Sequence, residues 1–222
     1  MRFRKKPLFF DGEIQWDTYV TAPKLKSALN DLNQSFVEQY LDRRLANIWI
    51  DLRSFSQTAE IAHQVGEMLD ASFVNEVVIS IMYRLLHLTF DEGSLPELFR
   101  IALLAYATSV FLQDQLSSNR YEYIATCLKE ALDFAHVWLN AAPVSAQLWF
   151  LVLPGLLSIS SINKRRLRAV ISEVSPGSVS QAWQHMRSCL RSVMWIGFIH
   201  DQKGQDMIAT VHEMPELEAK VY

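Results

Sequence analysis

The sequence predicts an all-α protein, folded as a single irregular domain of about eight helices around a central apolar helix. Three observations lead to this prediction. Apolar residues recur every three or four positions through most of the chain, which is the period of one helix face. No segment of useful length alternates apolar and polar residues as a half-buried strand does. Seven Gly and seven Pro among 222 residues leave room for long helices.

We divide the chain into three parts. Residues 1–21 are predicted to be an irregular lead, because Pro7, Gly12 and scattered aromatic residues give no clean period. Residues 22–213 form the predicted helical domain, and residues 214–222 form a C-terminal tail. No long linker and no repeat with a period of about 33 to 45 residues interrupts the helical domain.

The first predicted helix follows Thr21, which suits an N-cap position, and has Pro23 in its first turn. Its apolar stripe consists of Leu25, Leu29, Leu32, Phe36 and Tyr40. If this stripe is exposed, it favours dimerisation. The same spacing predicts two further helices, at about residues 54–69 and 73–88.

The next helix is predicted to be the central one. Ser94 and Glu97 have the spacing of a capping box, which opens a helix that runs to about residue 115. Residues 101–112 include only two polar side chains. A helix that is apolar nearly all round is buried on most of its sides.

The second half of the chain continues in helices. One is predicted at about residues 121–139, followed by an apolar segment at 144–160. We expect a kink or a break at Pro154-Gly155, because proline removes one helical hydrogen bond. The remaining predictions are a short basic helix at 163–174, a long helix at 178–198, a loop at 200–204 and a final turn or two at 205–212.

Composition narrows the function classes. Lys and Arg number 21 and Asp and Glu number 24, for a net charge of −3, whereas domains that grip nucleic acid unaided are usually basic. The two cysteines, Cys127 and Cys189, make no disulfide framework and fit a reducing compartment. The longest apolar run, residues 148–157, is half of the roughly 20 residues a membrane span needs. We therefore expect a soluble intracellular protein without a membrane segment.

No pattern in the sequence indicates reaction chemistry, so we predict no enzyme, no catalytic residue and no cofactor. A phosphate-binding loop, a glycine-rich dinucleotide fingerprint and a nucleophile elbow are all missing. His185 and Cys189 share a helix face, as do His63 and Glu67. Because a structural zinc site usually needs four ligands, we predict no metal site at either pair.

One charge run stands out, on the short basic helix. It consists of Lys164, Arg165, Arg166 and Arg168. This run is a candidate nuclear-import signal or phosphate patch. A short run in an acidic chain is more typical of the solvated face of a helix, and we favour that interpretation. A second basic group lies near the N-terminus, at Arg2, Arg4, Lys5 and Lys6.

Five short patterns follow one another along the chain. They are Met82-Tyr83-Arg84-Leu85-Leu86, Glu97 to Tyr106, Leu128-Lys129-Glu130-Ala131-Leu132, Leu148-Trp149-Phe150-Leu151 with Pro154-Gly155, and Trp195 with His200-Asp201 and Gly204. In kind and order they resemble the C-terminal regulatory domain of fungal-specific transcription factors, over about residues 45–211. One departure is that Arg166 is followed by Leu167-Arg168, where relatives commonly have Trp-Phe.

The resemblance implies a transcription-regulator-like helical module. Proteins of that family usually carry a binuclear zinc cluster of six cysteines that reads DNA, and this sequence has two cysteines. We therefore expect no direct sequence-specific DNA binding, and action in the nucleus through protein or metabolite contacts. The expected partners are a related full-length regulator or a second copy of the chain. The expected setting is the control of a fungal secondary-metabolite gene cluster.

Two alternatives remain open at this point. The chain could be a small helical ligand-binding protein, or an enzyme of unknown chemistry, with its pocket near Trp149 and Pro154. A broken helix there would leave backbone groups unpaired and part the helix from its neighbours. The chain could also be a truncated gene product, whose zinc cluster is encoded upstream of Met1.

Overall fold

The computed structural model describes residues 14–20, 41–112, 121–174 and 179–212. Within these ranges the chain forms nine α-helices, one short 3-10 helix and no strand, which confirms the all-α prediction. The chain divides into two compact units, residues 1–113 and 114–222. The helix predicted from Leu25 to Tyr40 and the tail at 214–222 lie outside the described residues.

The first unit contains three described helices, α1 (Arg43–Val65), α2 (Ala71–His87) and α3 (Leu95–Phe111). Each begins at a side chain that accepts a backbone N–H. The Asp42 carboxylate accepts the N–H of Arg44, the Asp70 carboxylate caps α2, and the Ser94 hydroxyl caps α3. The cap predicted at Ser94 is confirmed, since its Oγ lies 3.3 Å from the Glu97 nitrogen.

Helix α1 corrects the prediction for this part of the chain. We expected a helix from residue 54, but α1 begins at Arg43. The missed turns carry a buried stripe of Leu45, Ile48, Trp49 and Leu52. They begin at the Asp42 cap. This cap was not predicted, because the preceding helix was expected to end at about the same residues. Gly66 ends α1 with φ +74°, a conformation that glycine adopts without steric cost.

A buried ion pair ties the first unit together. The Arg84 Nη2 of α2 lies 2.5 Å from Oδ2 of Asp51 in α1, and both side chains are at most 2% exposed. The other carboxylate oxygen of Asp51 accepts the backbone N–H groups of Tyr19 and Val20, at 2.8 and 2.9 Å. The Asp51 carboxylate therefore joins α1, α2 and the irregular residues 14–20.

The same irregular segment makes further contacts with α1. The Asn47 Nδ2 donates to the Trp16 carbonyl at 2.8 Å, and the Arg44 guanidinium lies 5.4 Å from the centre of the Trp16 ring. Together with Asp51, these residues occupy successive turns of α1. The helix thus provides a row of partners for a segment that has no secondary structure of its own.

The second unit contains six described helices: α4 (Glu122–Phe134), α5 (His136–Ala141), α6 (Val144–Leu157), α7 (Lys164–Val174), α8 (Val179–Val193) and α9 (Gly197–His212). A 3-10 turn at Ile159–Ser161 joins α6 to α7. The helix predicted at 121–139 is two helices, which separate at Ala135. The prediction of a loop at 200–204 and a short final turn was wrong, because α9 runs for 16 residues from Gly197.

Helix α6 takes the central place in the second unit. It packs against α4, α7, α8, α9 and the 3-10 turn, and its residues from Leu148 to Leu156 are all buried. The sequence predicted one central apolar helix, now α3, whereas the structure has a second one in α6. The predicted break at Pro154 is wrong, because α6 continues to Leu157 and closes with the Ser158 N–H bonded to the Pro154 carbonyl at 2.9 Å.

A glycine allows neighbouring elements to approach α6 closely. A Cβ atom at Gly155 would lie 2.6 Å from the Met207 Sδ of α9 and 2.7 Å from Cγ1 of Ile162. Both distances are shorter than ordinary van der Waals contact, so a larger residue would push these elements away.

No described helix of the chain is long and apolar enough to cross a membrane.

The Asp51–Arg84 pair gives the first prediction. Arg84→Met leaves the Asp51 carboxylate buried without a cation, so we expect a loss of about 3–5 kcal/mol in the free energy of unfolding. Urea denaturation followed by circular dichroism measures this loss. Arg44→Met is the matched control, since its pair with Asp42 is exposed and costs less than about 1 kcal/mol. Equal stability of the two variants would contradict the role of the buried pair.

Candidate functional site

The basic run identified in the sequence lies at the start of α7. The Asn163 Oδ1 accepts the backbone N–H of Arg166 at 3.1 Å and so caps this helix. Leu167, Val170 and Ile171 are buried and fix the face that α7 turns to the core. Arg165 is exposed, and the side chains of the other three basic residues are half-buried.

One member of the run is committed to the fold. The Arg166 Nη2 donates to Oδ1 of Asn140 at 2.8 Å and to the His136 carbonyl at 3.2 Å. Burial lowers the pKa of Arg166, and the nearby Asp133 carboxylate opposes this shift. Arg166 therefore joins α7 to α5, a role that its sequence context did not indicate. The candidate import or phosphate patch of Lys164, Arg165, Arg166 and Arg168 stays a prediction.

A shallow depression lies beside Pro154, where α4, α6 and α7 meet. Leu132 and Leu151 form its apolar wall, and Lys129 and Arg166 are among its polar lining residues. It has room for about one water molecule, whereas ligand pockets measure about 300–1,000 Å³. The expected pocket near Pro154 is thus far below the size of a ligand site.

Trp149, the other residue of the expected pocket, is packed inside the second unit. Its side chain has no exposed surface, and its Nε1 donates to the Met194 carbonyl at 2.8 Å. The Phe150 ring meets it edge-on at 5.1 Å. This indole therefore joins α6 to the end of α8 and offers no open face to a ligand.

Neither of the two weak metal-ligand pairs is joined by a third candidate ligand among the described residues. His185 is exposed on α8, and Cys189 is half-buried beside it, where burial raises the pKa of the Cys189 thiol. His63 and Glu67 are exposed at the end of α1. Within the four described ranges, no group of three or more His, Cys, Asp or Glu side chains could hold a metal ion.

A connected polar cluster lies where α8 meets α9 in the second unit. The Trp195 Nε1 donates to Oδ1 of Asp201 at 2.8 Å. The other carboxylate oxygen of Asp201 pairs with the Arg187 Nη2 at 2.5 Å. Asp201 thus holds an indole from the connection and a guanidinium from α8 at the first turn of α9.

His200 completes this cluster from the buried side. It is 1% exposed, its ring centre lies 4.9 Å from that of Trp195, and its Nδ1 lies 3.4 Å from the Ile196 backbone nitrogen, which donates to it. Burial lowers the pKa of His200 to about 3, with Lys203 adding to the shift. The imidazole is therefore neutral at physiological pH and accepts a hydrogen bond at the start of α9.

Gly204 belongs to the same packing unit. A Cβ atom at this position would lie 2.6 Å from two ring carbons of Trp183 and 3.3 Å from the Trp195 ring. Only a glycine lets the second turn of α9 rest against these indoles. The spacing Trp195, His200, Asp201, Gly204 therefore corresponds to one set of mutual contacts.

The other family-like patterns also supply contacts between or within helices. Arg84 pairs with Asp51, as described above. Arg100 pairs with Glu97 at 2.6 Å and donates to the Leu85 carbonyl at 3.3 Å. The Tyr106 hydroxyl lies 2.8 Å from that of Ser56. Ser56 is 50 residues from its partner along the chain, so no local spacing could have identified it.

Comparison with known proteins adds no assignment: no family model, curated protein or solved structure matches the chain. Two sets of observations on this chain therefore bear on its function. One is the order of the five patterns in the sequence. The other is the set of contacts that their residues make in the structure.

Arg166 gives the second prediction. Arg166→Met removes two hydrogen bonds to α5, so we expect a loss of about 1 kcal/mol in the free energy of unfolding, because the site is partly exposed. Lys164→Met is the matched control, from the same helix and the same charge run, and we expect a change within about 0.5 kcal/mol. Chemical denaturation measures both. A control variant as unstable as Arg166→Met would contradict the separate role of Arg166.

His200 gives the third prediction, a dependence of stability on pH. Its pKa is about 3 in the folded protein against 6.5 for an ordinary histidine, so below pH 6.5 the unfolded chain binds the extra proton. Stability is therefore complete above that pH and falls with acid by about 1.4 kcal/mol per pH unit, until the folded-state pKa is reached.

The measurement is the free energy of unfolding of the native chain minus that of His200→Asn, at each pH from 8 to 4. Asn keeps an acceptor for the Ile196 N–H but does not titrate, so its packing defect appears as a constant offset. Ser188→Asn, at an exposed position of α8 without a titratable group, is the control and should run parallel to the native chain. A difference that stays constant between pH 6 and 4 would show that His200 titrates normally.

Proposed function

We propose that this chain is a transcription-regulator-like helical module that acts in the nucleus through contacts with a protein or a metabolite. Its five patterns resemble, in order, the C-terminal regulatory domain of fungal-specific transcription factors. The observation that carries the proposal is that the polar side chains of these patterns serve packing. Arg84 and Arg100 each hold a partner inside the fold, and Asp201 holds Trp195 and Arg187 at the start of α9.

The same contacts support a function without catalysis. A catalytic group needs a face open to substrate, whereas His200 and Trp149 are buried and bonded to backbone groups. The depression beside Pro154 is water-sized. Regulation by contact requires a stable surface, and the buried pairs described above provide the stability for one.

Three features support a protein partner in place of direct DNA recognition. The net charge is −3, and the 222 residues include two cysteines, whereas a binuclear zinc cluster uses six. Phe134 and Val137, three residues apart at the α4–α5 junction, are 71% and 72% exposed, and exposed apolar side chains that cluster mark contact surfaces. The partner we propose is a related full-length regulator or a second copy of the chain. The setting we propose is the control of a fungal secondary-metabolite gene cluster.

The fourth prediction tests this proposal directly. The full chain is fused to a heterologous DNA-binding domain and brought to a reporter promoter in a fungal host. A regulatory module should raise or lower reporter transcription several-fold relative to the DNA-binding domain alone. Phe134→Ser/Val137→Ser should reduce the effect without loss of folded protein, since both side chains are exposed.

The matched control is Tyr123→Ser, which removes an exposed aromatic side chain from the first turn of α4 but leaves the α4–α5 junction intact. It should keep most of the reporter effect. A folded, nuclear fusion protein that leaves transcription unchanged would overturn the proposal. If the unfused chain bound a promoter duplex tightly and sequence-specifically at physiological salt, the proposal that it does not recognise DNA directly would be overturned.

A further inference from the structure

The connection between α1 and α2 presents apolar side chains to solvent. Ile61 and Val65, one turn apart at the end of α1, are 38% and 63% exposed. Met68, in the connection that follows, is 96% exposed. We call these three side chains the α1–α2 tip. A side chain as exposed as Met68 buries almost no apolar area, so it contributes little to the stability of the fold.

Backbone hydrogen bonds fix both ends of this connection. The N–H groups of Gly66 and Glu67 donate to carbonyls in the last turn of α1, at 3.2 and 2.9 Å, the paired bonds that close a helix at a left-handed glycine. At the other end the Asp70 carboxylate accepts two N–H groups from the first turn of α2, at 2.9 and 3.0 Å. None of these bonds involves the side chain of Met68, so a change in its polarity leaves them intact.

The other described methionines are less accessible than Met68. Met186, Met194 and Met207 are at most 1% exposed, and Met82 is half-buried. Oxidation of a thioether requires that the oxidant reach the sulfur, and the sulfoxide that forms is polar. In a buried methionine this change disrupts the core, whereas at Met68 it alters only the surface.

We propose that Met68 is a site of reversible oxidation by peroxides, which turns the α1–α2 tip from apolar to polar. The Met68 sulfur attacks one oxygen of hydrogen peroxide, an S–O bond forms and the O–O bond breaks. Sulfur loses two electrons, and the departing hydroxide takes the proton of the transferred hydroxyl and leaves as water. Thiol-dependent sulfoxide reductases reverse the change. The inference does not depend on a role in transcription.

Exposure of the full, folded chain to hydrogen peroxide tests the proposal, with fragmentation mass spectrometry to assign the added oxygen to individual methionines. We expect Met68 to react several-fold faster than Met82, and faster still than Met186, Met194 and Met207. Circular dichroism during the reaction checks that the chain stays folded. Oxidation of these buried methionines in the folded chain at the rate of Met68 would overturn the proposal.

Met68→Leu is the matched control, since it keeps an apolar side chain of similar size without a sulfur atom. Hydrophobic interaction chromatography compares the native chain and the variant before and after the same exposure to peroxide. The native chain should elute clearly earlier after oxidation, and the variant should shift much less, because its remaining shift comes from the other methionines. Equal shifts of the two proteins would show that Met68 does not determine the polarity of the surface.

Two further measurements separate a change of surface from a loss of structure. A mixture of the reductases for both sulfoxide epimers, with a thiol reductant, should return the oxidised native chain to its original elution. Met68→Gln, which carries a polar side chain permanently, should elute early and keep the urea midpoint of the native chain. A native chain that stays early after reduction, or a lowered midpoint in Met68→Gln, would contradict a reversible change confined to the tip.

Discussion

A charged side chain that is buried in the core must be paired there. In the first unit this side chain is Asp51. Its side chain has no exposed surface, so Arg84 must reach it from α2, and the N–H groups of Tyr19 and Val20 must reach it from the irregular segment. Three separate parts of the chain are therefore brought to one carboxylate. The apolar contacts of α1 and α2 form around this point.

In the second unit, buried polar groups must likewise be hydrogen-bonded within the fold, and this occurs at several places. Helix α6 is buried throughout its middle, so the Trp149 N–H must find the Met194 carbonyl, and Lys203 donates to the Leu156 carbonyl at 3.0 Å near the end of α6. The cluster of Trp195 with Asp201 then fixes the start of α9. These polar side chains are bonded to neighbouring elements of the fold.

The fold class could be predicted from local features of the sequence, whereas the contacts between distant residues could not. Apolar spacing and the Ser94 cap are short-range signals, and both were predicted. Pro154 was expected to kink or break α6, but four neighbouring helices and the 3-10 turn of the second unit pack against that helix. Asp51 and Arg84 are 33 residues apart, and Arg166 reaches back 26 residues to Asn140. Such pairings depend on tertiary packing and leave no local spacing to recognise.

We propose that the polar residues of the five patterns act by stabilising the fold. The measurement that tests it plots reporter output against the free energy of unfolding for conservative variants at Arg84, Arg100, Trp149, His200 and Asp201. The account predicts one monotonic relation, in which output falls only as the folded fraction falls. A variant that keeps the native free energy of unfolding but abolishes the output would contradict it, because it would reveal a direct functional role for that side chain.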